Sequence, residues 1–287
     1  MDPREEPVNT RPKALEILRA VGRLPDDRID LAETALALAA LDRPEAGFEP
    51  YHQHLAELAA EVADMSGRPL TLAQRVEVLR HVLADRHGYH GDTETYEDMQ
   101  NANLMRVIDR RRGLPVALGI LYIHAARAQG WEIVGLNFPG HFLMRLDHDG
   151  ERVILDPFNQ GEPKEPRALR ELLKQTAGLD AELTPEHYAT VSNREVLLRL
   201  QNNLKLRHLR NDRADKAAEV VENMLLFAPD HPGLWREAGL LNAHSGNLSA
   251  AIRAFETFMD LGSRLGASSQ LLHQTATLVQ QLRTRLN

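Results

Sequence analysis

Cysteine is absent from the sequence, so none of the 287 residues carries a thiol. Disulfide bridges, thiolate metal sites and cysteine nucleophiles are therefore excluded, because each of them requires that group. The sequence also lacks any run of about 18 apolar residues. Its first ten residues, MDPREEPVNT, have neither the basic start nor the apolar stretch of a secretory signal. We therefore expect a cytoplasmic protein without a membrane anchor.

An excess of positive charge is also missing, because 34 Lys and Arg residues stand against 41 Asp and Glu residues. Non-specific binding of nucleic acid relies on clustered cations that neutralise phosphates, so we expect no nucleic-acid partner. One basic run, Arg110–Arg112, follows the predicted helix 104–109. We expect these side chains to cap that helix and to pair with nearby acids. The alternative is that they bind an anionic partner.

The hydrophobic pattern divides the chain into a helical beginning, a mixed middle and a helical end. Apolar residues are 43% of the sequence, which is enough to bury a sizeable core. They recur at intervals of three and four across residues 13–63 and again across 71–85, as in helices that bury one face. The predicted segments are 1–87, 88–168 and 169–287.

The middle segment predicts one central helix packed on a small sheet. Residues 117–128 are apolar on every side, which indicates a buried helix. Apolar and polar residues then alternate over 132–137, 142–146 and 152–155, as in strands. Asp149–Gly150 is a typical two-residue hairpin turn, so we expect the last two strands to be antiparallel.

The third segment returns to helix periodicity and contains a weak internal repeat. Ala217 aligns with Ala251, and Met224 with Phe258, at an offset of 34 residues. That offset is the period of tetratricopeptide helix pairs. We interpret the apolar residues of this segment as the core of such repeats and not as a ligand site.

His141 and Asp156 are the residues best suited to chemistry. If Asp149–Gly150 is the hairpin loop, Asp156 pairs opposite Leu143 and lies diagonal to His141. If His148–Asp149 is the loop, Asp156 faces His141 directly, and both registers place the two side chains on one face of the sheet. A three-residue loop would separate them.

A carboxylate beside a histidine fixes the tautomer of the ring and stabilises the imidazolium, as a general base requires. The alternative is that His141 and Asp156 merely end their strands.

The order of these features resembles that of the transglutaminase-like superfamily. Its thiol enzymes carry a cysteine two residues after a glycine, at the start of a buried helix that ends in an arginine. A histidine strand and an aspartate strand follow. Here Gly113, the apolar helix with Arg127, then His141 and Asp156 stand in the same order.

The nucleophile that this resemblance implies is missing. A helix start lowers the pKa of a thiol and donates N–H groups to an oxyanion, but the position twelve residues before Arg127 is Pro115. Proline suits the first helical position, and a register moved by two residues reaches the equally inert Ala117. No serine or threonine lies between Asn103 and Thr176 as a substitute. We therefore expect no covalent acyl transfer.

Three segments resemble the bacterial SirB-type branch of that superfamily more closely: RRRGLPVAL at 110–118, PGHFL at 139–143 and LDPFNQG at 155–161. That branch carries Arg-Gly-Ile-Pro at the helix start, where this chain has Leu114 for the isoleucine, and has a C-terminal tetratricopeptide-like region. With the upstream segment 96–104, the similarity covers most of residues 88–265. The binding residues that we carry over from the resemblance are Tyr96, Asn101, Arg112, Gly113, Gly140 and Asn159.

The resemblance implies an α+β fold in a bacterial cytoplasm. The implied fold comprises a helical N-terminal segment, a papain-like core with a central helix on an antiparallel sheet, and an all-α tetratricopeptide-like region. We expect no cofactor and no metal. The densest histidine cluster, His81, His87 and His90, is interrupted by Gly88 and lacks a fixed metal-ligand spacing.

We expect a non-catalytic module that binds a protein or peptide and has a regulatory role. One alternative is a hydrolase of amides or peptides in which His141, oriented by Asp156, activates water directly. A second alternative is a scaffold whose function resides in the helical third segment. The sequence leaves the partner and the oligomeric state open.

Overall fold

The computed structural model describes residues 9–67 and 69–286, and its α+β architecture confirms the predicted fold class. The helices are α1 (Arg11–Val21), α2 (Leu31–Asp42), α3 (Glu49–Met65), α4 (Leu72–Arg80), α5 (Leu104–Arg110), α6 (Pro115–Arg127), α7 (Pro166–Ala177), α8 (Asn193–Arg210), α9 (Ala214–Phe227), α10 (Pro232–His244), α11 (Leu248–Leu265) and α12 (Ser269–Leu286). A π-helical turn, His81–Arg86, follows α4. Within the described ranges, no helix is long and apolar enough to cross a bilayer.

The chain forms two compact units. The larger unit contains the described residues up to Ile17 together with Pro25–Leu200, and the smaller unit contains Leu18–Leu24 and the residues from Gln201 onward. The three-way division of the chain that we expect from the sequence stays a prediction, and residues 1–8 of its first segment lie outside the described residues.

The main sheet of the larger unit contains the strands β3 (Glu132–Leu136), β4 (Met144–His148), β5 (Glu151–Asp156), β6 (Glu162–Pro163) and β7 (Thr190–Val191). The sheet is antiparallel, and its strand order is β6-β5-β4-β3-β7. A separate parallel pair joins β1 (His90–Gly91) to β2 (Arg112–Gly113), directly before α6.

The β4–β5 hairpin confirms the first of the two registers. Met144 pairs with Leu155, and His148 pairs with Glu151, so Asp149–Gly150 is the loop. Both loop residues have positive φ, 49° and 82°, as the tight hairpin turn requires. The predicted strand 142–146 is shifted in the structure, because β4 begins only at Met144. His141 therefore lies just before the strand and not within it.

Helix α6 is the buried centre of the larger unit. The helix begins at Pro115, which confirms that this proline suits the first helical turn. Its start is therefore two residues before the predicted Ala117. Nearly every side chain of the helix is buried. A Cβ atom on Gly119 would lie 2.4 Å from the ring of Phe142, so this glycine lets the chain next to His141 approach the helix closely.

The smaller unit consists mainly of the helices α9 to α12, each of which packs against the next along the chain. The four residues that define the internal repeat, Ala217, Met224, Ala251 and Phe258, are all buried, as equivalent core positions should be. Leu240 departs from the predicted repeat core, because 40% of its surface is exposed.

Candidate functional site

His141 and Asp156 form a hydrogen-bonded pair. The distance between His141 Nε2 and Asp156 Oδ1 is 2.8 Å. The Asp156 side chain is almost fully buried, whereas that of His141 retains 12% exposure. The hairpin register explains this geometry, because it places the end of β5 beside the residues that lead into β4.

The Asp156 carboxylate is fixed by the turn that follows β5. Its oxygens accept hydrogen bonds from the side-chain amide of Asn159 at 2.7 Å and from the backbone N–H of Phe158 at 3.1 Å, and Lys164 Nζ lies 3.7 Å away. Burial alone would raise the pKa of Asp156. The hydrogen bond and charge of His141, with Asn159 and Lys164, outweigh burial and hold the pKa below its usual range.

The ionised carboxylate determines which nitrogen of His141 carries the proton. An ionised aspartate only accepts hydrogen bonds, so Nε2 is the donor and the neutral ring presents Nδ1 as an acceptor. Within the described residues, Nδ1 has no hydrogen-bond partner. The imidazole is therefore held in the orientation and tautomer of a general base or of a hydrogen-bond acceptor.

Phe158 connects the histidine to the start of the central helix. Its ring packs edge-on against His141, with 5.9 Å between ring centroids. Its backbone oxygen accepts a hydrogen bond of 2.9 Å from Gly91, which pairs with Gly113 two residues before Pro115. A Cβ atom on Gly91 would lie 2.4 Å from the Phe158 ring. The strand pair that leads into α6 and the turn that holds Asp156 thus meet at Phe158.

The beginning of α6 also provides backbone donors. Within the described residues, no side chain caps this helix. The first N–H groups of a helix lack intrahelical partners and favour acceptor or anionic groups. The position that the resemblance assigns to a thiol is occupied by Pro115, which carries neither a nucleophile nor an N–H group.

Tyr96 also packs edge-on against Phe158, with 5.8 Å between ring centroids. It is 38% exposed. The loop that carries it is anchored by Asp92, whose carboxylate accepts hydrogen bonds from the backbone and hydroxyl of Thr95 and from Arg110. Burial would raise the pKa of Asp92, but these hydrogen bonds outweigh it and lower the pKa well below its usual range.

Asn101, predicted as a binding residue, is fully buried. Its side-chain amide donates to the carbonyl of Thr95 at 2.7 Å and accepts from Arg110 at 2.9 Å. Its backbone oxygen accepts from Leu114 at 2.9 Å, directly before α6. Asn101 thus holds the Tyr96 loop and the helix start together, and its binding role stays a prediction.

The predicted glycines are sites of close approach. A Cβ atom on Gly113 would lie 2.7 Å from Val107, and Gly140 has a φ of +70° and would place a Cβ atom 2.6 Å from Thr176. Gly140 thereby sets the turn that presents His141. Asn159 is exposed, and its side-chain amide donates a hydrogen bond of 2.7 Å to Asp156. For these residues, too, direct ligand binding stays a prediction.

The basic run pairs with acids, as expected. Arg110 lies 2.8 Å from Asp92, and Arg112 lies 3.1 Å from Glu94. Arg111 differs from its neighbours, because it ends α5 in the left-handed region at φ 61° and points to neutral acceptors.

Arg199 is a part of the site that sequence reasoning missed. This α8 residue donates a hydrogen bond of 2.8 Å to the carbonyl of Phe138 and lies over the ring of Phe142, the residue after His141. Burial lowers its pKa below the usual value. No local pattern marks it, because it meets the site only through tertiary packing.

The histidines of the segment 81–90 point to separate partners. His81 lies 3.4 Å from Asp85, His87 lies 3.0 Å from Glu61, and His90 contacts the backbone of Gly91. Among the described residues, no three metal-binding side chains are grouped to hold an ion.

The family described as transglutaminase-like superfamily matches residues 49–202, and a tetratricopeptide repeat family matches residues 204–287. A UPF0162 protein of Xylella fastidiosa strain Temecula1 is 31% identical over 82% of this chain and 85% of its own length. Protein SirB1 of Salmonella typhimurium is 30% identical over 60% of this chain and 65% of its own. A menin crystal structure aligns with 91% of this chain and 72% of its own at a TM-score of 0.40 and 12% identity, too remote to bear on function.

Proposed function

The chain belongs to the transglutaminase-like superfamily, and from its site we propose that the core is a non-catalytic module that binds a peptide or protein segment and has a regulatory role. The observation that carries this proposal is the intact pair of His141 and Asp156 at 2.8 Å in a core whose central helix begins with Pro115. The chain has no cysteine to supply the nucleophile.

The remaining groups suit the main chain of an extended peptide. His141 Nδ1 can accept a hydrogen bond from a peptide N–H group, and the first N–H groups of α6 can donate to a peptide carbonyl. The rings of Phe158 and Tyr96 offer an apolar wall next to these polar groups. Main-chain hydrogen bonds with adjacent side-chain contacts are a common mode of peptide recognition.

Selection from a random peptide library with the purified protein tests this function. We expect bound peptides to be recovered with unchanged mass, and His141→Ala to weaken their binding at least about tenfold. His148→Ala is the matched control, because His148 is on the same hairpin and its side chain lies 3.4 Å from Asp149, away from the His141 pair, so this variant should bind like the wild type. Equal binding by the His141 variant would contradict the proposal.

The hydrolase alternative is favoured by one observation, the open Nδ1 atom of a histidine whose aspartate is ionised. Such a ring can take a proton from water without a covalent intermediate. The hydrolase alternative predicts that the recovered peptides are cleaved. It also predicts that the His141→Ala variant loses cleavage but still binds the peptides. Peptides that stay intact after long incubation would exclude it.

Restoring a thiol tests whether the helix start faces the histidine. Pro115→Cys would be the only cysteine in the chain, so its alkylation by iodoacetamide can be followed without background. We expect alkylation at neutral pH to be faster than in the double variant Pro115→Cys/His141→Ala, because a nearby imidazolium lowers the pKa of a thiol. Identical pH profiles would show that position 115 does not face His141, and Ala117→Cys would then test the other register.

The repeat region is a second candidate site for a partner, favoured by the tetratricopeptide match over residues 204–287. As a scaffold, this region would hold the partner by itself. Its partners would then be retained by the His141→Ala variant, whereas partners of the core would be lost.

A further inference from the structure

A polar pocket away from the His141 site lies in the larger unit, between α3 and the end of α5. It has a volume of about 580 Å³, within the range of small-molecule sites. Its polar lining consists of Tyr51, Gln53, His54, Glu57, Asp109 and Arg111. None of these side chains takes part in the His141 site, so this pocket is independent of the function proposed above.

Arg111 is the distinctive residue of the pocket. Its Nη1 atom contacts two neutral acceptors, the hydroxyl of Tyr89 and Nε2 of His54, and its guanidinium lies over the Tyr89 ring. Among the described residues, no carboxylate forms an ion pair with it, and its Nε and Nη2 atoms have no hydrogen-bond partner. The pocket therefore holds a positive charge with two donors left to bind an anionic group.

A negative charge lies on the other side of the same histidine. His54 Nδ1 is 3.1 Å from Oε2 of Glu57, and the other oxygen of Glu57 has no partner within the described residues. His54 thus joins Arg111 through one ring nitrogen and Glu57 through the other. The two charges are therefore separated by the imidazole ring together with the contact that it makes on each side.

The third charge of the pocket is already neutralised. Asp109 pairs with Arg43 at 2.6 Å and accepts a hydrogen bond from Tyr51 at 3.2 Å. The groups that remain for a ligand are therefore one guanidinium and one carboxylate. A dianion such as phosphate would face repulsion from Glu57, whereas a ligand with one charge of each sign would complement both sides.

We propose that this pocket binds a free α-amino acid, with its carboxylate on the Nε and Nη2 fork of Arg111 and its ammonium group on Glu57. The carboxylate matches the planar fork of a guanidinium, and the ammonium can donate to the open oxygen of Glu57. The backbone of Arg111 supports this arrangement. It occupies the left-handed region at φ 61°, a conformation that favours glycine but here aims a guanidinium into the pocket.

Calorimetric titration of the full-length protein tests the proposal with each of the twenty standard amino acids. Acetate, ethylamine and phosphate serve as probes that carry only part of the charge pattern. We expect at least one amino acid to bind at least about tenfold more tightly than all three probes, since each charge-assisted contact contributes roughly that factor. No binding by any amino acid, or equal binding by acetate or phosphate, would overturn it.

Two variants locate the binding. Arg111→Gly removes the guanidinium, suits the left-handed backbone and leaves Tyr89 bonded to His54, so the fold should be retained. We expect a loss of affinity of about tenfold or more. Glu57→Gln should weaken amino-acid binding by a similar factor without weakening the binding of acetate, which does not use that carboxylate.

The control is Arg86→Gln, an exposed arginine outside the pocket that pairs with Glu61. We expect this variant to bind like the wild type. Wild-type affinity in Arg111→Gly, or an equal loss in Arg86→Gln, would refute the site. His141→Ala should leave the amino-acid affinity unchanged, which separates this result from any outcome for the proposed function.

Discussion

Tyr122 and Tyr89 are both fully buried phenols, but their hydroxyl groups differ in their partners. Tyr122 Oη has no hydrogen-bond partner among the described residues, whereas Tyr89 Oη contacts Arg111 at 2.6 Å and His54 at 2.8 Å. An unpaired buried hydroxyl costs free energy, so Tyr122→Phe should leave the free energy of unfolding unchanged or raise it by about 1 kcal/mol.

The matched variant Tyr89→Phe should lower the free energy of unfolding by about 1–3 kcal/mol, because it removes the two buried hydrogen bonds of this hydroxyl with His54 and Arg111. Urea denaturation of both variants measures the difference. A loss in Tyr122→Phe as large as that in Tyr89→Phe would show that the Tyr122 hydroxyl has a partner.

His54 should make the stability of the larger unit depend on pH. Burial, followed by the charge of Arg111, lowers its pKa below the usual value of 6.5. Near and below pH 6.5, His54 is therefore protonated more often in the unfolded chain than in the folded chain. The free energy of unfolding should fall as the pH drops from 7 towards 5. The titratable and charged groups that face His54 are Glu57, His87, Tyr89 and Arg111.

We expect His54→Gln to be less stable than the wild type at pH 7 and to lose less stability between pH 7 and pH 5. Denaturant unfolding at half-unit pH steps measures both quantities. Its control is His81→Gln, a half-exposed histidine near Asp85, which should keep the wild-type pH dependence. A His54 variant with the same pH slope as the wild type would assign that slope to other groups.

The pairing of His141 with Asp156 could be predicted from the sequence because it depends on local turn chemistry. Asp149–Gly150 selects the two-residue loop, and that loop sets the register of the hairpin. Phe158 and Arg199 could not be predicted in the same way. Their contacts with the site depend on how separate elements pack, and no spacing along the chain records that packing.

Among the secondary-structure elements, α6 depends on one close approach. A Cβ atom on Gly119 would lie 2.4 Å from the Phe142 ring and 3.6 Å from the sulfur of Met144. Gly119→Ala should therefore lower the free energy of unfolding by about 1–3 kcal/mol, although alanine forms helices better than glycine. The measurement is denaturant unfolding.

Gly47→Ala is the matched control for this substitution, because no atom lies within 4 Å of a Cβ atom built there. We expect it to change the free energy of unfolding by less than about 0.5 kcal/mol. A Gly119→Ala protein that is as stable as the wild type would show that Phe142 moves aside at little cost.

Element types were easier to predict than element ends. The helix predicted across 71–85 does begin there, because Thr71 and Gln74 form a capping box at the start of α4. The strand expected from residue 142 begins instead at Met144, because Gly140 at φ +70° turns the chain before it can extend. The alternation of apolar residues does not reveal such a turn, since Phe142 is buried whether or not it lies in a strand.

Across the whole chain, the grouping of Leu18–Leu24 with the residues from Gln201 onward is the feature that hydrophobic periodicity could not predict. The helical pattern of α1 runs without interruption across Leu18, so the sequence places these residues with the first segment. Their assignment depends on a tertiary contact instead. A Cβ atom on Gly22 would lie 2.3 Å from the backbone oxygen of Leu226 at the end of α9.

The two tryptophans of the chain make that assignment testable, because Trp131 belongs to the larger unit and Trp235 to the smaller one. In a Trp131→Phe background, the fluorescence of Trp235 reports on the smaller unit alone. Its indole N–H donates a hydrogen bond of 2.7 Å to the carbonyl of Pro229. Gly22→Ala should then lower the denaturant midpoint, which corresponds to a loss of about 1–3 kcal/mol in the free energy of unfolding. The reason is that the new methyl group would meet backbone atoms, which cannot move aside as a flexible side chain can. Gly47→Ala in the same background should leave the midpoint in place. An unchanged midpoint in the Gly22 variant would mean that residues 18–24 do not stabilise the repeat helices.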